Sequence, residues 1–125
     1  MKFLALALCL LLSGAAFASE HGGGGGAGPA GIVALEPLVI NLSDAHYIQF
    51  KPNLKLKDAK DMDFVKSFIP MIRFELIKSL IGKQTTEVGT SVFISTFSES
   101  AAAVINKALK DDYIKEVLFD AWLIQ

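Results

Sequence analysis

The chain has 125 residues and a formal net charge of −1, with 12 Lys and Arg against 13 Asp and Glu. That length holds one domain with a modest core and not two, and the balanced charge lacks the basic excess of a nucleic-acid binder. The single cysteine, Cys9, lies in the N-terminal apolar run, so the rest of the chain has no disulfide, thiol nucleophile or Cys-ligated metal available.

Met1-Lys2 leads into an apolar run from Phe3 to Leu12, followed by small residues ending Ala16-Phe17-Ala18. This order predicts a secretory signal peptide over residues 1–18, with cleavage after Ala18. Phe3–Leu12 falls short of the ~20 apolar residues of a comfortable spanning helix. An uncleaved leader serving as a short anchor is the alternative. Residues 19–31 contain Gly22 to Gly26, Gly28 and Gly31, which predicts a flexible tether. His21 in that tether reads as a solvated histidine and not as a metal site. The domain is expected over residues 32–125.

Ile32 to Leu42 is nearly continuous in apolar residues, as a strand covered on both faces would be. Pro37 inside it requires an edge position or a bulge. From Tyr47 to Lys57 the pattern has period two. Ile48, Phe50, Pro52, Leu54 and Leu56 make a dry face. Gln49, Lys51, Asn53, Lys55 and Lys57 make a wet, basic one. The short polar link Ser43–His46 predicts an antiparallel hairpin between the two strands.

Asp58–Asp63 is a charged connection. Phe64, Val65, Phe68, Ile69, Ile72, Leu76, Ile77 and Leu80 then recur at helical spacing. Pro70 predicts a short turn ending at Ile69 and a new helix with the proline in its first turn; one kinked helix is the alternative. Gly82 ends the helix, and 82–89 reads as a polar connector. Thr90 or Ser91 can cap a second helix, whose apolar stripe is Phe93, Phe97, Ala101, Val104, Ala108 and Leu109. After Asp111-Asp112 a last strand is expected over Ile114–Ile124, with Trp122 in the core. The order β-β-α-α-β gives an α+β fold, a small antiparallel sheet with two packed helices.

Catalytic signals are missing from this pattern. No G-x-S-x-G elbow, H-E-x-x-H pair or phosphate loop occurs, and the serines at Ser91, Ser95, Ser98 and Ser100 fit a solvated helix face. No enzyme and no cofactor is expected. Lys51, Lys55 and Lys57 fit an acidic partner or anionic headgroups, or simply a solvated strand face beside Asp58, Asp61 and Asp63. Arg73, the chain's one arginine, can fork onto a carboxylate of a neighbouring strand or subunit, or stay solvated.

Three stretches stand out together: Val33-Ala34-Leu35-Glu36-Pro37-Leu38-Val39-Ile40-Asn41-Leu42 with the alternating strand after it, Pro70-Met71-Ile72-Arg73 opening a helix, and Val117-Leu118-Phe119-Asp120-Ala121-Trp122-Leu123-Ile124-Gln125. In this order they resemble the flagellar basal-body-associated FliL family. The resemblance implies a periplasmic domain similar to the stomatin/prohibitin (SPFH) fold. It further implies assembly into rings as a homo-oligomer, stator proteins and other basal-body components as partners, and no catalysis. Pro70 and Arg73, with Lys51, Lys55 and Lys57, are the expected subunit or partner contacts. A typical FliL has a membrane-spanning helix where this chain has a leader and a glycine tether, so inner-membrane association would depend on an uncleaved leader. Two other readings remain at this level: a small periplasmic module for lipid or another apolar ligand, suggested by the many Phe and Ile, and an envelope structural protein sharing the SPFH-like fold.

Overall fold

The computed structural model describes residues 31–125. The signal peptide expected over 1–18 lies outside the described residues, as does the tether expected over 19–31 apart from Gly31.

The centre of the sheet is the strand whose alternation is strictest. Strand β3 (Tyr47–Leu56) turns Ile48, Phe50, Pro52, Leu54 and Leu56 into the core and Tyr47, Gln49 and Lys51 to solvent. It pairs antiparallel on both sides. One side holds β1 (Ile32–Ala34) and β2 (Leu38–Asn41), which together form one interrupted edge along β3. The other side holds β4 (Ile114–Ile124). The single strand expected over 32–42 is therefore broken, and Pro37 lies in the break, at an edge and beside a bulge.

The register gives the reason. Ala34 faces Asn53 and Leu38 faces Phe50, so three edge residues, Leu35 to Pro37, span two of β3, Lys51 and Pro52. Leu35 N–H donates to the Pro52 carbonyl at 2.9 Å, but Pro52 has no N–H to return. A proline in a central strand is tolerated at a bulge, and here its missing donor faces one.

Strand β4 carries two more bulges. Between the pairs Gln49–Leu123 and Lys51–Asp120, both Ala121 and Trp122 oppose the one residue Phe50. Ala121 takes φ +54° to do so. The extra residue shifts the alternation by one. Val117 and Phe119 face the core before it, and Trp122 and Ile124 face the core after it. Without the bulge Trp122 would point to solvent. With it, Phe50 meets Phe119 edge-on at 5.3 Å and Trp122 at 5.0 Å, and Phe97 stacks on Phe119 at 5.1 Å.

The helices cover one face of this sheet. Asp58 caps a 3-10 turn (Ala59–Asp61) by accepting from Lys60 N–H at 3.0 Å. Helix α1 (Met62–Lys66) is short, and α2 (Ile69–Leu80) begins with Pro70 in its first turn, the two-part arrangement expected. Ile72, Leu76 and Leu80 form its buried stripe. Gly82, at φ +82°, lets the chain turn so that its N–H reaches the Asn41 carbonyl at 3.3 Å. The connector after it is not wholly irregular, because Thr85–Val88 closes one turn, α3. That turn is held by the sheet: Trp122 Nε1 donates to the Val88 carbonyl at 3.0 Å.

Helix α4 (Ser91–Leu109) is capped by the Thr90 hydroxyl, which accepts from Phe93 N–H at 3.0 Å. Its buried stripe is Phe97, Ala101, Ala102, Ile105 and Leu109. Val104 and Ala108, expected in the stripe, are half-buried instead, and the sequence pattern overlooked Ile105. The i, i+4 row through Phe97, Ala101, Ile105 and Leu109 packs on β4, one position round from the expected line. Asn106 ties the end of α4 to the start of β4: its amide accepts from Tyr113 and Ile114 N–H and donates to the Ile114 carbonyl.

The bulge can be tested by substitution. Ala121→Gly removes the left-handed penalty and should leave stability equal or higher by up to about 1 kcal/mol, whereas Ala121→Val should lower it by more than about 1 kcal/mol. Urea unfolding followed by Trp122 fluorescence measures both. Equal losses for the two variants would mean that the φ of Ala121 is not what shapes β4.

Candidate interaction surfaces

The wet face of β3 places Lys51, Lys55 and Lys57 on one line, as the alternation requires. Its charge is largely met from across the sheet. Lys55 Nζ lies 3.7 Å from Glu116 Oε2 on β4, and Lys57 Nζ lies 3.4 Å from Asp112 Oδ2 in the turn before it. Lys51 stays exposed, opposite Asp120 in register. Asp58, beside the lysines in sequence, pairs with Lys60 at 3.7 Å. Exposed pairs like these are each worth about 0–1 kcal/mol, but they cancel the field that would draw an acidic partner.

Pro70 is exposed at the start of α2, where it contributes helix-start geometry. Arg73, one turn on, is half-buried. Its Nη1 donates to the Glu36 carbonyl at 3.0 Å. Glu36 sits in the β1–β2 bulge, where Pro52 offers no N–H, so a side chain from α2 supplies a donor at the break in the ladder. Arg73 thus reaches a neighbouring strand, through a main-chain oxygen and not a carboxylate.

Exposed apolar side chains occupy both flanks of the layer. Helices α1 and α2 pack on the β1–β2 side and expose Phe64, Phe68, Phe74 and Ile81. Phe64 and Phe68 meet at 5.0 Å, Phe64 also lies 4.7 Å from Tyr113, and Lys78 sits over the Phe74 ring at 5.1 Å. Helix α4 packs on the β4 side, where Val92, Leu118 and Leu123 are exposed. A groove of about 260 Å³ runs between α4 and β4, lined by Ile94, Ser95, Ser98, Glu99, Val117 and Leu118 among others. Ser98 Oγ donates to the Val117 carbonyl at 2.7 Å in that groove. A second groove, about 650 Å³, lies at the end of α4 between Lys57, Lys107, Lys110 and Lys115. Both are open and of mixed lining, and a third, about 290 Å³, is lined by Phe93 and Phe97 with Ser79, Lys83, Thr96 and Ser100.

Among the described residues, the one carboxyl moved from its ordinary range is at the β2–β3 hairpin tip. Asp44 accepts from the Thr85 hydroxyl and, at 3.0 Å, from Thr85 N–H. These hydrogen bonds, the side-chain one first, hold the Asp44 carboxyl below the usual aspartate pKa, and His46 adds a smaller effect of the same sign. His46 Nδ1 lies 2.9 Å from the Asp44 carbonyl oxygen. Among the described residues, no group of three or more His, Cys, Asp and Glu is placed to hold a metal ion. Among the same residues no helix is long and apolar enough to cross a membrane.

Set against known families, residues 32–125 match the model of the family described as flagellar basal body-associated protein FliL. The matched region takes in every strand and helix above. No curated protein matches the chain.

Two side chains in these contacts give measurable expectations. Asp44 has a depressed pKa in the folded state, so its contribution to stability is complete above the unfolded value, about 3.9, and is lost as pH falls through the folded one. Between pH 5 and pH 3 the urea midpoint of the wild type should fall more than that of Asp44→Asn; parallel profiles would remove the Thr85 link as the cause. Arg73→Ala should cost about 0.5–1 kcal/mol at pH 7 by exchanging its hydrogen bond to the exposed Glu36 carbonyl for one from water, and an unchanged midpoint would show that the contact holds nothing.

Proposed function

This chain belongs to the FliL family of flagellar basal body-associated proteins, and from that premise we propose that it is a non-enzymatic accessory of the flagellar motor. It acts in the periplasm, self-associates around or beside the stator units and supports torque generation during swimming or swarming. The observation that carries this reading is the family match over residues 32–125, which spans the complete helix-and-sheet layer.

Two features support the finer parts. The leader-like residues 1–18 and glycine-rich residues 19–31 suit a domain delivered across the inner membrane and held at a distance from whatever anchors it. Exposed apolar side chains on both flanks suit a domain that works in contact with other proteins, since such groups are ordinarily buried when they cluster. The leader, left uncleaved, would add an inner-membrane association. Open grooves that enclose little offer little to the apolar-ligand reading.

The test is a clean deletion in a strain with no second FliL-like gene. Filament number should stay normal while swimming speed falls, most of all in viscous medium, and the wild-type gene should restore it. Full speed under load in the deletion strain would overturn the motor role.

A further inference from the structure

We propose that the chain, once its leader is cut after Ala18, carries a Cu(II) site at its new amino terminus, formed by Ser19-Glu20-His21. The site goes beyond the motor role and is independent of it. It rests on the cleavage position read from residues 1–18.

The first support is the spacing of nitrogens along the main chain. Cleavage behind Ala16-Phe17-Ala18 makes Ser19 the first residue and His21 the third. A histidine alone in a chain offers one nitrogen, which is not a metal site. A histidine third from a free amine offers four in series: the Ser19 amine, the Glu20 amide nitrogen, the His21 amide nitrogen and His21 Nδ1. Around a single ion, successive members of that series close two five-membered chelate rings and one six-membered ring. Four nitrogens linked in this way can lie in one plane. Cu(II) favours that square arrangement, whereas Zn(II) favours a tetrahedron.

The second support is residue type. None of the three is proline, so both amide nitrogens carry a proton that can be given up. Binding is a displacement. Two amide protons leave, with the amine's extra proton where it is charged, and four Cu–N bonds form. The two amidate charges neutralise those of the ion, and no electron is transferred. Gly22 to Gly26 follow and add no side chain next to His21 in the chain.

The third support is that the fold offers no rival among the described residues. The chain has two histidines. The other, His46, stands at the hairpin tip with Nδ1 2.9 Å from the Asp44 carbonyl oxygen, and no group of three or more His, Cys, Asp and Glu among the described residues is placed to hold a metal ion. Cys9 leaves with the leader. An exported chain also meets copper in an oxidising compartment, where the ion is Cu(II).

The test uses the chain made with its own leader, recovered from the periplasm without an added tag, and its mass measured. It is loaded with one equivalent of Cu(II) and passed through gel filtration in glycine buffer, which strips loosely held copper. The expected result is a mass beginning at Ser19, about one Cu(II) kept per chain, and an electron paramagnetic resonance signal of a square-planar ion on nitrogen ligands. Excess Zn(II) should not displace it. His21→Ala should keep roughly tenfold less copper or below, while His46→Ala keeps as much as the wild type. Glu20→Pro should lose it as well, because it retains the amine and the imidazole and removes only an amide proton. One glycine inserted between Glu20 and His21, which moves the histidine to fourth place, should do the same. A mass beginning elsewhere overturns the site and the cleavage position together. A mass beginning at Ser19 with no copper kept, or with copper kept equally by Glu20→Pro or by the insertion, overturns the site alone.

Discussion

Everything in this fold is referred to one strand. Each ladder of the sheet passes through Tyr47–Leu56, so its strict alternation decides which face of every neighbour is dry. Pro52 makes that strand unusual. It cannot donate to the ladder, and the neighbouring edge answers by breaking into two short strands with a bulge between them. The bulge leaves Glu36 out of the ladder, and Arg73 reaches over from α2 to meet its carbonyl. One missing N–H thus links the sheet's edge to the helix layer.

The opposite edge is shaped by the same need to keep apolar side chains on one face. The inserted Ala121 returns Trp122 and Ile124 to the core after Asp120 has pointed to solvent. Trp122 then serves twice, packing on Phe50 and donating to Val88. That second contact fixes the turn before α4, so a bulge in the last strand sets where the longest helix begins. The two edges are unlike in shape, one broken into two short strands and the other a single bulged strand.

Much of this was legible because period two and period 3.6 are local signals. The hairpin, the break at Pro37, the helix start at Pro70 and the Thr90 cap all follow from residue type and spacing. The Ala121 bulge did not, since nothing in Phe119-Asp120-Ala121-Trp122 says that the alternation must skip one residue; only the partner strand fixes that. Ile105 was passed over because Val104 fits the same stripe almost as well, and packing against β4 chose between them. Among the surface residues, the line of Lys51, Lys55 and Lys57 was readable, but their partners were not. Glu116 and Asp112 are far along the chain, and the nearer Asp58 turns to Lys60 instead. For Arg73 the sequence offered a carboxylate or water, and the acceptor is a main-chain oxygen exposed by a proline 21 positions away.

The central claim is that this layer of sheet and helices works at the flagellar base as an assembled component. It is tested most directly by imaging a functional fluorescent fusion, of a kind that matures outside the cytoplasm, together with labelled filaments. The account predicts discrete foci, each holding many copies and coinciding with a filament base. Uniform fluorescence around the cell envelope, with no enrichment where filaments emerge, would contradict it.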